Sequence, residues 1–263
     1  MIALFTKAIV RVPGGNFADG LTSVELGVPE FDKVTAQWIA YCLALESCGL
    51  VLTRLEVEPN FPDSTFVEDT AVLTPKGAML TRPGAASRAG EVAAIADVVR
   101  NFYPDMVAIV EPGTLDGGDI CEAGEHFFLG LSHRTNEDGA RQLAEHLAGE
   151  GFTSSTVDIR GMESILHLKS GISFIGDNTL VVMEEMADNP AYKVQFAGYD
   201  MIRVIAKESY GANCVRVNGR VLMAAGYPQL VEDLVTRGFH PLVLEMSEFR
   251  KMDGGLSCLS LRF

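Results

Sequence analysis

The feature that most constrains this chain is a weak internal repeat. Strand-like stretches begin at "TFVEDTAVLT" (65–74), "TLDGGDICEA" (114–123), "LHLKSGISFIG" (166–176), "NCVRVNGRVLMA" (213–224) and "GLSCLSLRF" (255–263). Successive starts lie roughly 40 to 50 residues apart, the spacing of a supersecondary unit stacked on copies of itself. Helical patterns fall between them. In "EFDKVTAQWIAYCLALESCG" an apolar stripe of Val34, Trp38, Cys42 and Leu45 ends at Gly49. "SRAGEVAAIADVVRNF" places Val92, Ile95, Ala96 and Val99 on one face, with Ser87 as the expected N-cap. "TNEDGARQLAEHLAG" opens on a capping-box-like pair, Thr135 and Asp138. Pro190 and Pro228 mark the first turns of two more helices, and Gly238 closes the second.

The last stretch decides how such units are arranged. Chain ends fray unless something holds them, yet "LSCLSLRF" alternates like a strand in a sheet. Paired beside the first stretch, "MIALFTKAIV", it closes a ring. The pattern predicts five strand-rich units, each with a helix, around a pseudo-fivefold axis, in one domain spanning residues 1–263. An open α/β sheet with helices on both faces is the alternative arrangement.

Composition narrows the class of partner. Apolar residues make up 48 % of the chain, enough for a packed core. No apolar run reaches the ~18 residues of a membrane span. The start is too short and wrongly ordered for a signal peptide and reads as a first strand. Five scattered cysteines (Cys42, Cys48, Cys121, Cys214, Cys258), with no Cys-x-x-Cys, argue against a disulfide framework or thiolate zinc site and for a reducing cytoplasm. The net charge of −14 disfavours nucleic acid, which needs clustered Lys and Arg, and favours a small cation. Phosphate-binding glycine loops, H-E-x-x-H and G-x-S-x-G are absent, as is metal-ligand spacing among the five histidines. Neither a cofactor nor a metal is expected.

Four clusters can carry chemistry, and each falls at or near the start of a unit. In "FPDSTFVEDTAVLT" the carboxylates Glu68 and Asp69 interrupt an apolar strand, with Asp63 just before. Buried carboxylates are costly unless paired. In "GTLDGGDIC" the glycines between Asp116 and Asp119 permit a neighbour's close approach. His167, between Leu166 and Leu168, is read on a strand, facing opposite to both. A carboxylate beside it makes it an acid and base. Cys258 follows "DGGLS", a turn that can expose its thiol. Arg88 and Arg134 precede helices, where the dipole disfavours a cation, and suit a carboxylate clamp. Each feature alone has an ordinary explanation: a solvated strand end, a plain turn, a core histidine, an inert thiol, surface salt bridges. Taken together they suit a zwitterion with a guanidinium at its far end.

The ordered set "FVEDTAV", "LTRPGAASR", "LDGGDI", "LSHRTN", "LHLKS" and "DGGLSCLSL" resembles the dimethylarginine dimethylaminohydrolases. These belong to the guanidine-modifying superfamily of five-bladed αβ-propellers, the penteins. The resemblance runs from about Pro62 to the C-terminus. It implies an α+β propeller, with Cys258 as nucleophile, His167 as general acid and base, and Asp116 orienting it. It further implies that Asp63 and Asp69 hold a guanidinium, that Arg88 and Arg134 hold a carboxylate, and that backbone groups around Leu21, Glu68 and Met252 contribute. The segment "RVPGGNFADGLTSVELG" departs most from the family pattern, and its glycines suit a lid. The implied activity is hydrolysis of Nω-methylated arginine to citrulline and a methylamine through a covalent cysteine adduct. Three alternatives are deimination of free arginine, amidino transfer, and a non-catalytic propeller like the ribosome anti-association factors. Deiminases of this superfamily typically carry an extra helical insertion, and no such block is present.

Overall fold

The computed structural model describes residues 4–263, so the first three residues of the expected first strand lie outside the described residues. Among the described residues fifteen strands form five three-stranded sheets. Blade two contains β3 (Ala71–Leu73), β4 (Ala78–Leu80) and β5 (Val107–Ala108), and blade three β6 (Ile120–Ala123), β7 (His126–Leu131) and β8 (Thr153–Asp158). Blade four contains β9 (Ile172–Gly176), β10 (Thr179–Met183) and β11 (Asp200–Val204), and blade five β12 (Val215–Val217), β13 (Arg220–Ala224) and β14 (Pro241–Leu244). Blade one is assembled from both ends of the chain: β15 (Leu261–Arg262), β1 (Lys7–Arg11) and β2 (Val51–Leu55). In every blade the first pair of strands is antiparallel and the second parallel.

That shared pattern explains the helices. A parallel pair needs a crossover, and here it is helical. The crossovers are α1 (Phe31–Ser47), α2 (Glu91–Arg100), α3 (Glu137–Gly149), the short pair Glu184–Asp188 and Lys193–Phe196, and the helix Pro228–Thr236. The stripe Val34, Trp38, Cys42 and Leu45 is buried, as expected, and Gly49 (φ 94°) ends that helix in the left-handed region. The first strands of successive blades pack side by side, β15 against β3, β6 against β9, and β9 against β12. They therefore line the axis of an αβ-propeller, with helices outside. The ring closes where Ala8 pairs with Arg262 and Ile9 with Leu261.

Local details differ from the sequence reading. The helix expected from Ser87 begins at Glu91, because residues 86–88 form a separate 3-10 turn. Asn136, not Thr135, caps the next helix, accepting the Gly139 N–H (2.8 Å). The Thr135 hydroxyl is taken by Asp119 (2.6 Å). Pro190 falls between two short helices rather than in a first turn, whereas Pro228 opens its helix as expected.

Candidate active site

The residues singled out from the sequence are not on strands. Each first strand is entered through a short helical turn: Val67–Thr70 before β3, Gly117–Asp119 before β6, Leu168–Gly171 before β9, Ala206–Ala212 before β12, and Ser257–Leu259 before β15. Glu68, Asp69, His167 and Cys258, read as strand residues, sit in or beside these turns. The reason lies in the neighbouring turn: a buried carboxylate at the entry to one blade captures a backbone N–H at the entry to the next and winds the chain there. Asp69 Oδ1 accepts from Gly118 N–H (2.8 Å), and Asp119 Oδ1 accepts from Leu168 N–H (2.9 Å).

Because the first strands line the axis, these turns converge at one end of it. A cleft of about 360 Å³ there is lined by Leu21, Asp63, Asp69, Arg88, Arg134, His167, Met252 and Cys258, among others. Nine of the ten residues expected from the sequence are thus in or beside one space: the eight named, and Asp116 directly behind His167. Glu68 stands apart. Its carboxylate faces away, toward Lys169 (2.5 Å) and the Ser257 hydroxyl (2.8 Å).

His167 Nε2 donates to Asp116 Oδ2 (3.0 Å), and Gly84 N–H donates to Asp116 Oδ1 (2.8 Å). Asp116 is fully buried and also held through its own N–H by the Thr135 hydroxyl (3.1 Å). Asp119, equally buried, accepts from Ser132 and Thr135 hydroxyls. Burial alone would lower the basicity of His167; the carboxylates of Asp69, Asp119 and Asp116 overcome this and raise its pKa to about 9. Gly118 makes this density of groups possible. A Cβ there would lie 2.7 Å from His167 Nδ1 and 2.9 Å from Asp69 Oδ1.

Burial pushes the Cys258 thiol up to about 12, reinforced by the Glu68 and Asp69 carboxylates. Cys258 is half-buried as a residue and borders the cleft, and its sulfur accepts from Gly255 N–H (3.4 Å). These shifts favour a protonated thiol and a charged imidazole at neutral pH.

Asp69 and Asp63 have different hydrogen-bond partners. Burial would raise the Asp69 pKa, but His167 and Arg88 lower it to about 2. Asp63 accepts from Leu21 N–H (3.1 and 3.2 Å) and feels both Arg88 and Arg134. Burial leaves its pKa raised all the same.

Arg88 is only 5 % exposed and already well occupied. Nη1 donates to Asp69 (2.5 Å), Nε and Nη2 donate to Glu91, and Nη2 also reaches the Phe66 carbonyl (3.0 Å). One Nη1 hydrogen remains for the cleft. The Arg134 guanidinium, by contrast, forms no ion pair among the described residues.

The loop after Phe17 lies across the cleft. Ser23 N–H and hydroxyl both donate to Asp253 Oδ2 (2.5 and 2.9 Å). One ligand atom each from Asp69, Asp116 and His167 lies within 4.8 Å of the others. These atoms are already engaged with one another, with two backbone N–H groups and with Arg88, which supplies the positive charge a metal would bring.

A five-bladed αβ-propeller with cysteine, histidine and aspartate converging on its axis is a pentein of the guanidine-modifying kind. The sequence model of the arginine deiminase family matches residues 53–216. The chain is 42 % identical to the dimethylarginine dimethylaminohydrolase of Pseudomonas aeruginosa, over 99 % of this chain and all of that one. It is 34 % identical to that of Streptomyces coelicolor, over 97 % and 96 %. The chain belongs to the dimethylarginine dimethylaminohydrolase family. A solved structure of the Pseudomonas aeruginosa enzyme, a cysteine-to-serine mutant complexed with citrulline, superposes with a TM-score of 0.94, covering 99 % of this chain and all of that one. The N-terminal domain of ArgZ, a cyanobacterial arginine dihydrolase, shares the fold at 18 % identity, with a TM-score of 0.89 over 99 % and 97 %.

Proposed function

We propose that this protein hydrolyses Nω-methylated arginine to citrulline and a methylamine, with Cys258 as nucleophile, His167 as general acid and base, and Asp116 orienting the imidazole. The observation that carries the reading is the shape of the charge in the cleft. Carboxylates crowd Cys258 and His167, and the Arg134 guanidinium, without an ion pair among the described residues, lines the same cleft. A substrate that is cationic at its reacting end and anionic at its far end matches both.

Asp69, beside His167, faces the substrate guanidinium. Asp63, which accepts from Leu21 N–H, holds the same guanidinium with Asp69. Arg134 takes the carboxylate, joined by the spare Nη1 hydrogen of Arg88. Leu21 and Met252 shape the cleft with backbone groups. Glu68 contributes through its backbone and by anchoring Ser257.

The cationic substrate first lowers the thiol pKa, because opposite charge favours the thiolate, and the thiol proton passes to solvent. The thiolate attacks the guanidinium carbon and a C–S bond forms. His167 donates its proton to the methylated nitrogen as the C–N bond breaks, so the amine departs neutral. A thiouronium-type adduct remains. His167, now neutral, takes a proton from water as that water attacks the same carbon. The C–S bond breaks, the water's second proton returns to the departing sulfur, and citrulline is released. Asp116 stabilises the imidazolium at both stages by accepting its Nε2–H, leaving Nδ1 to move the proton.

A citrulline assay over dimethylarginine, monomethylarginine, arginine, agmatine and a shorter guanidino acid tests the assignment. Methylated arginines are expected to exceed arginine by about tenfold or more in kcat/KM, the order that one small group is worth in a pocket. The deiminase model that matches the chain defines the competing result: arginine as the better substrate, with ammonia released, would replace this reading.

A further inference from the structure

Four of the five turns that enter the first strands carry a residue of the proposed chemistry: Asp69, Asp116, His167 and Cys258. The fifth, Ala206–Ala212, ends at Asn213, two residues before β12. Asn213 is 6 % exposed, and its side-chain amide is spent on the other turns rather than on its own. Nδ2 donates to the Lys169 carbonyl (2.8 Å), two residues after His167. Nδ2 also donates to the Ser257 hydroxyl (2.9 Å), and Oδ1 accepts from Ser257 N–H (3.0 Å), one residue before Cys258. The orientation of the amide is fixed by chemistry: only an NH₂ can face the Lys169 carbonyl, and only an oxygen can face the Ser257 N–H.

The nucleophile turn also closes on the amide from a second side. A Cβ at residue 255 would lie 2.5 Å from Asn213 Oδ1, so Gly255 alone permits the contact, and the same glycine donates its N–H to the Cys258 sulfur. The hydroxyl of Ser257 in turn donates to Glu68. One buried amide thus joins the chain beside the sulfur to the chain beside the imidazole.

We propose that Asn213 is a positioning residue for the reaction: it sets the relative placement of the Cys258 and His167 turns. The inference rests on the roles proposed for those two residues. It also goes beyond them: among the described residues no hydrogen bond joins the two turns directly, and the Asn213 amide, with the Glu68 carboxylate, is what they share. Proton transfer and sulfur attack must act on one carbon, and such alignment is sensitive to displacements of an ångström or less.

Asn213→Asp keeps the volume and the acceptor for Ser257 N–H. It loses both donors and sets a carboxylate oxygen against the Lys169 carbonyl. The expected result is a kcat at least tenfold lower, a KM within threefold of the parent, and a cooperative melt. Alkylation of Cys258 by iodoacetamide, followed at its own peptide, should shift its pH midpoint upward. That second readout needs no turnover, so it tests the clamp even if the substrate assignment fails. Ser257→Ala, which removes one of the three bonds together with the hydroxyl's bond to Glu68, should lower kcat several-fold at unchanged KM. A parent-like kcat and alkylation profile in Asn213→Asp would overturn the proposal. So would a melt lost in both variants, which would make Asn213 a purely structural residue.

Discussion

Gly118→Ala is the sharpest perturbation that the geometry offers, because one methyl group meets two functional side chains at once. The added carbon would sit 2.7 Å from His167 Nδ1, 2.8 Å from its Cγ and 2.9 Å from Asp69 Oδ1. Ordinary contact is about 3.5 Å, so the imidazole must retreat by roughly 0.8 Å. Retreat is resisted from behind: Nε2 is bonded to Asp116, which is itself fixed by Gly84 and Thr135. Nor is Gly118 among the residues of positive φ, so alanine brings no backbone penalty and the effect is the contact alone. Overpacking of this kind costs about 1–3 kcal/mol of stability. The larger effect falls on turnover, where a displacement near 1 Å costs on the order of 10²-fold. Steady-state citrulline formation and thermal melting of the variant measure both. A folded Gly118→Ala protein with kcat within about threefold of the parent would show that the imidazole position is not critical, and the mechanism built on it would fall.

Cys258→Ser and His167→Ala should each abolish turnover while the melt is retained; an active Cys258→Ser protein removes the covalent step. Loss of the charge-assisted bond in Arg134→Ala should cost roughly 1.5–3 kcal/mol, a rise in KM of about 10- to 150-fold, with kcat much less affected. An unchanged KM would place the substrate carboxylate elsewhere. Stability should depend on pH through His167. Its pKa in the folded chain, about 9, lies above the ordinary 6.5, so its contribution is complete below pH 6.5 and is lost as pH rises through 9. Asp69 has the opposite sign. Lowered to about 2 from 3.8, it contributes fully above pH 3.8 and loses its effect as pH falls through 2. Melting temperature measured from pH 6 to 10 should decline in the parent and decline less in His167→Ala; equal slopes would remove His167 as the cause.

The repeat was legible because strand alternation and helical stripes recur wherever a blade recurs. Even the closure of the ring could be read, from an alternating stretch where a frayed end was due. The turns before the first strands were not. Over three residues, alternation looks the same whether the chain is extended or wound, and the winding is set by distant partners. His167 is followed by a turn because Leu168 N–H finds Asp119, far away in sequence. Thr135 lost its expected cap role in a similar way: the buried Asp119 carboxylate, at the entry to the same blade, claimed its hydroxyl. Arg88 was legible as a cation near the cleft, but its commitment to Asp69 and Glu91 is visible only once the blades are assembled. Asn213 carries no local signature, since an asparagine between small residues has many ordinary uses.

Blade one joins the two ends of the described chain, with Ile9 beside Leu261 and Cys258 just ahead of that pairing. Contacts that span so much sequence carry the heaviest loop-closure cost and are slow to form. Helical signal in a refolding population should therefore return before any catalytic power does. The appearance of citrulline would serve as a clock for the last stitch in the circle.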